Sequence, residues 1–180
     1  MNIFYLSEAQ QTCAENHNDK HVVKMIIEYA QLLSTAHRVL DGHEFYDTTA
    51  NGRKIKRWKL ENEFLDNVLY KATHINHPSA IWVRQSDENY DWLYGLYQTL
   101  MTEYTYRYGK VHACSKLEIW LARIPNNIPQ APFTEPTPAM PDKYKVIGDS
   151  ITSYKNYYIG DKQHIASWKK RTVPNWYVIN

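Results

Sequence analysis

Between His17 and Leu40 the side chains that carry acid, base or nucleophilic chemistry recur at helical spacing. His17, His21, Lys24, Glu28, Gln31 and Thr35 fall at i, i+3 or i+4 and form one narrow stripe. Met25, Leu32 and Val39 flank it on one side and Val23 and Ile27 on the other, while Val22, Ile26, Tyr29, Ala30 and Leu33 cover the opposite face. A helix apolar nearly all round is a buried helix. Burying imidazole, ammonium and carboxylate groups costs several kcal/mol unless they are paired, so such a row is a candidate active-site floor. The alternative is a solvated stripe on a surface helix, where a Lys24 and Glu28 pair would add only ~0.3–0.5 kcal/mol.

The chemistry available to a buried stripe is specific. A lysine in an apolar pocket near imidazoles loses its proton readily and attacks a sugar or aldehyde carbon, the role expected of Lys24. Glu28 would protonate a leaving base or stabilise a cationic sugar, and His17 or His21 would move protons at neutral pH. The same residues admit a metal reading, with His17 and His21 converging at i, i+4 and Asp19, Glu28, His74 or His77 completing the set. No HExxH pattern is present. The expectation is therefore no metal and no cofactor.

Nucleic acid is the partner suggested by two further segments. Arg53, Lys54, Lys56, Arg57 and Lys59 surround Trp58, and Lys169, Lys170 and Arg171 lie beside Trp168, near Trp176 and Tyr177. Cations interleaved with aromatics suit phosphate contacts with stacking or insertion at a base step, although short basic runs also occur on solvated surfaces. Asp19 and Lys20, at the head of the stripe helix, are grouped with these DNA-facing residues. In HPSAIWVRQSDENYDW, His77, Arg84 and Asn89 read as the wall of a base pocket with Arg84 on a phosphate, whereas Trp82 and Trp92 read as structural. Glu103, Arg107 and Lys110 read as helix-surface pairs.

The elements that must position these groups are mostly helical. Asn2 to Leu6 is a short strand or extended arm, and Ser7 with Gln10 makes a capping box for a helix from Glu8 to about Asn16. The stripe helix ends near Asp41, with Gly42 suited to a left-handed cap. Residues 43–57 are polar and read as a loop around the Asn51-Gly52 turn. A helix is expected over Lys59 to Thr73, broken at His77 and Pro78. Another follows Ser86 and runs to Gly109, and Ser115 with Glu118 makes a capping box before Leu117 to Ala122. Six of the eight prolines fall between Pro125 and Pro141, which excludes a regular helix or central strand and leaves an ordered belt or a flexible loop. Asp149 caps a helix from Ser150 to Ile159 that Gly160 stops. The expected fold is thus mainly α, one compact domain over residues 1–180 with a short amino-terminal arm and an internal proline-rich loop.

Bulk properties set limits. A chain of 180 residues with 43% hydrophobic and 22% charged residues has material for a proper core and no disorder signature. A net charge of +2 requires any anionic partner to be met by local patches. Fifteen tyrosines and six tryptophans can fill a core or stack on bases. Two cysteines, Cys13 and Cys114, form no metal motif or disulfide framework, which fits a reducing cytoplasm. No signal peptide and no membrane span is expected, and the chain is read as a cytoplasmic monomer.

Three segments together resemble the phage-type pyrimidine-dimer DNA glycosylases, the endonuclease V family. AENHNDKHVVKMIIEYAQLLSTAHRV is similar to that family's short helix ending in Ala-x-x-His before the helix that bears its catalytic glutamate. NYDWLYGLYQTLMTEYTYRYG is similar to its later helix, and WKKRTVPNWY to its basic, aromatic carboxyl end. The resemblance implies a compact all-α fold and a double-stranded DNA substrate. It also implies attack on the sugar by an amino-terminal α-amine, with a glutamate supporting cleavage. His17 matches the family histidine; Lys24 lies nearer than Glu28 to the glutamate position. The expected function is a DNA-binding enzyme acting on a flipped pyrimidine, cleaving its N-glycosidic bond with possible lyase activity. The alternatives are a transferase modifying a flipped pyrimidine and a non-catalytic DNA- or protein-binding module.

Overall fold

The computed structural model describes residues 1–178. Its order is α1 (Gln10–Asn16), α2 (Asp19–Asp41), β1 (His43–Thr48), β2 (Lys54–Lys59), α3 (Glu63–Val68), α4 (Pro78–Val83), α5 (Asp87–Tyr108), α6 (Glu118–Leu121) and α7 (Ser150–Asp161), with short 3-10 turns between them. The fold is mainly α. The two long helices, α2 and α5, pack on each other; α1 packs on α5 and α4 on α2. Residues 3–6 form an extended, fully buried arm rather than a strand, and the core cluster continues from Ile3 to Trp168.

Local chemistry explains most boundaries. The Asn18 side chain caps α2 by accepting from the His21 amide, and Ser86 caps α5 by accepting from the Asn89 amide. Gly109 ends α5 in the left-handed conformation at φ 65°. Pro78 occupies the first turn of α4, where its missing N–H costs nothing, and the His77 Nδ1 accepts from the Ser79 amide; this pair starts a helix as well as interrupting the preceding segment.

Five expectations change. Residues 43–57 are not a loop: β1 and β2 pair antiparallel from His43↔Lys59 to Thr48↔Lys54, with Gly52 at φ 76° in the turn. The hairpin stands largely in solvent, so its strands lack the apolar alternation that burial would impose. The Ser7 capping box does not form; α1 starts at Gln10, whose side chain instead reaches the Trp92 carbonyl. Helix α3 is shorter than Lys59 to Thr73. Gly160 lies inside α7 because the Tyr144 ring packs where a Cβ would sit, and Gly42 is extended rather than left-handed.

The proline-rich segment is an ordered belt. Carboxylates at the ends of the long helices tie it down: Asp41 accepts from the amides of Asn126 and Asn127, Asp87 from Ala131 and Glu88 from Phe133. Among the described residues no helix is long and apolar enough to cross a membrane.

Candidate functional site

The two stripe histidines are buried in a polar web at the head of α2. The His17 Nδ1 faces the Cys13 carbonyl at 2.7 Å, so it carries the proton, and Nε2 accepts from the Tyr29 hydroxyl at 3.0 Å. That hydroxyl in turn accepts from the Phe4 amide. His21 shares a 2.6 Å hydrogen bond with the Tyr158 hydroxyl and stacks on Phe4 at 4.1 Å. Burial pushes the His17 imidazole down to about 4. Burial, with the nearby charge of His17, pushes His21 down to about 2. Both rings are therefore neutral anchors that hold the arm against α1, α2 and α7. Proton transfer near neutral pH is a role their environment opposes, which corrects the expectation for both. Their nitrogens do not converge on an ion, and among the described residues no three His, Cys, Asp or Glu side chains gather to hold a metal.

Further along the stripe the expectation divides. Lys24 is not in an apolar pocket: its side chain is 71% exposed and its ammonium lies 3.1 Å from the Glu28 Oε1. The neighbouring Val23 and Ile27 are also exposed, so α2 shows a solvent edge where an all-round apolar surface was expected. The Glu28 side chain, by contrast, is only 14% exposed, and its Oε2 lies 3.5 Å from the α-amine of Met1, a residue whose side chain is 6% exposed. His77 stands close by. Burial lowers its imidazole below the ordinary value, the Met1 amine and His74 lower it further, and Glu28 opposes them. The gathered groups are thus an α-amine, one carboxylate bridging two cations, and a partly buried imidazole.

The carboxyl-terminal basic cluster is largely consumed internally. Arg171 donates to both oxygens of the buried Glu103, and Arg107 donates to Glu103 and to Asp19 at 2.6 and 2.9 Å. Burial alone would raise the Glu103 carboxyl, but hydrogen bonds from Arg171 and Arg107 hold it below the usual carboxylate range. Asp19 also accepts from the Lys169 amide, so it is a structural tie and not a DNA contact. Glu103 and Arg107 are likewise core and not surface pairs. Lys169 and Lys170 remain exposed, with the Lys170 ammonium on the Tyr106 carbonyl; Lys20 is exposed on α2.

Asn89 corrects another expectation. It is buried, gives its amide to Trp82 and Thr134, and accepts from the Thr134 amide, so it fastens the belt instead of reading a base. The Arg84 guanidinium turns back onto the Ala80 carbonyl.

The hairpin presents most of its cations to solvent. Pleating puts Tyr46, Lys54, Lys56 and Trp58 on one face and Phe45, Ile55 and Arg57 on the other. On the first face Lys54 lies 3.8 Å from the Tyr46 ring centroid and Lys56 6.0 Å from that of Trp58; Lys56 also pairs with Glu44. Arg53 is exposed at the turn. The hairpin is attached at the carboxyl end of α2 and the Arg171 cluster at its amino end. The 23 residues of α2 set these clusters roughly 30 Å apart along its axis, with Glu28 between them. Sequence reasoning missed the buried Glu103–Arg107–Arg171 network, although the i, i+4 spacing of Glu103 and Arg107 was visible. The Met1 amine had a signal in the family resemblance alone. No protein-family model, curated protein or solved structure matches the chain.

Proposed function

We propose that the protein cleaves the N-glycosidic bond of a pyrimidine nucleotide extruded from duplex DNA, using the Met1 α-amine as nucleophile and Glu28 as its acid-base partner. The observation that carries this reading is the 3.5 Å approach of the Met1 amine to a largely buried Glu28. The amine nitrogen bonds to C1′ and loses a proton to Glu28. The C1′–base bond breaks, and its electron pair leaves with the base, which takes a proton. The nitrogen lone pair then forms the C1′=N bond as the C1′–O4′ bond breaks, O4′ takes the remaining amine proton, and the product is an imine on the opened sugar, reducible by borohydride. Lys24, next to Glu28 but exposed, holds the carboxylate and is better placed to meet a phosphate than to attack. The resemblance to the pyrimidine-dimer glycosylases supports the same pairing of amine and glutamate, with Glu28 in place of the Lys24 that sequence alignment favours.

The test is borohydride trapping on duplexes carrying damaged or modified pyrimidines, combined with mass spectrometry of the trapped peptide. The expected adduct sits on the amino-terminal peptide, and Glu28→Gln lowers its yield by about two orders of magnitude while leaving duplex affinity near wild type. An adduct on Lys24, or a modified nucleoside without an abasic product, replaces this reading with a lysine nucleophile or a base-modifying transferase respectively. Duplex binding with no turnover on any substrate leaves a binding module.

A further inference from the structure

Beneath the hairpin, between its Phe45 face and the carboxyl half of α2, lies a cleft of about 120 Å³ lined by Arg38, Phe45, Asp47, Arg57, Lys59 and Lys71 among others. Its charges are unevenly matched. Arg38 is saturated: it donates to Asp66 and to the carbonyls of Trp58, Leu69 and Tyr70. Asp66 is spent on Arg38 and the Leu60 amide, and Asp47 accepts from the Thr48 amide. Among the described residues Arg57, Lys59 and Lys71 make no ion pair, and the Arg57 Nε is buried without any hydrogen-bond partner. A buried guanidinium donor is normally satisfied, and an acceptor entering the cleft would satisfy this one.

We infer that the cleft is a binding site for the phosphate of a nucleotide. Arg57 and Lys59 reach it from β2 and Lys71 from the segment after α3, so an anion with several oxygens meets donors from more than one direction. The cleft is large enough for a phosphate group and not for an attached nucleoside, which would lie outside it. The phosphate comes either from a DNA backbone or from a free nucleotide. Residues 72–77 run from this cleft back to the amine and Glu28, with the Thr73 amide bonded to Thr35 on α2. The site does not depend on the proposed amine chemistry, and borohydride trapping does not report on it.

Titration calorimetry with inorganic phosphate, and anisotropy of a labelled duplex across a salt series, test the site in wild type, Arg57→Gln and Lys71→Gln. One phosphate binds the wild type in the millimolar range and about tenfold more weakly in each variant. If the occupant is backbone phosphate, the log–log salt slope for duplex also falls by ~0.9 in each. Weakened phosphate binding with an unchanged duplex slope assigns the cleft to a free nucleotide. Lys71 is exposed, so Lys71→Gln keeps its fold even if Arg57→Gln does not. Absence of phosphate binding to the wild type, or equal binding by wild type and Lys71→Gln, overturns the inference.

Discussion

The two basic segments both interleave cations with aromatics and meet opposite fates. At the amino end of α2, Arg171 is drawn inward by Glu103, and the Lys169 backbone by Asp19, so this cluster closes the fold. At the carboxyl end the hairpin cations stand over Tyr46 and Trp58, and among the described residues Glu44 is their one carboxylate partner on that face. What separates them is the presence of buried carboxylates behind one cluster and not the other. Basic residues interleaved with aromatics mark a nucleic-acid surface only when no interior anion claims them first.

The strongest way to break the comparison is to remove the anion. Glu103→Gln strips two guanidinium groups of their buried partner and is expected to destabilise the fold by about 3–5 kcal/mol in urea denaturation. A loss below about 1 kcal/mol would mean that the amino-end cluster is no more structural than the hairpin.

Acid should act on the same end. The folded-state values of His17 and His21 lie below the ordinary value, at about 4 and about 2. The unfolded chain therefore binds protons that the native state refuses. Stability is complete above about pH 6.5 and falls as the pH drops toward 4, by about 3 kcal/mol from His17 alone. Denaturation midpoints across that range in wild type and His17→Gln check this. The variant is weaker at pH 7.5 but shows a shallower acid slope.

The hairpin prediction concerns binding. Replacing Arg53, Lys54 and Lys56 with alanine should reduce the duplex salt slope by roughly 2–3 and change stability by under about 0.5 kcal/mol. An unchanged slope would remove the hairpin from any DNA face. The smallest effect is expected for Lys169→Ala with Lys170→Ala, a slope change of about 1 or less.

Much of the fold was legible because local chemistry declares itself. Asn18, Ser86 and Asp149 cap where their side chains can reach an orphan amide, and Gly109 adopts the backbone that other residues avoid. The hairpin was hidden because a solvated ribbon needs no apolar alternation, leaving only its Asn51-Gly52 turn to announce it. The site was half legible. Spacing placed Glu28 on the stripe, but it cannot say which edge of α2 faces water, and so Lys24 was expected to be buried. The amine partner of Glu28 lies 27 residues earlier in the chain, a distance no helical period spans.

The buried arm also imposes an order on synthesis. Asn2 bonds to the Ala139 carbonyl, His21 to Tyr158 and the Trp168 indole to the Asn16 carbonyl, each across more than 130 residues. A ribosome takes roughly 10 s to supply that length. Until then Phe4 lacks the Tyr154 and Tyr158 rings that close over it, and high contact order makes the closing step slow. A chain halted near residue 150 would carry helices α2 and α5 with an open apolar seam, a species for chaperones or proteases to meet.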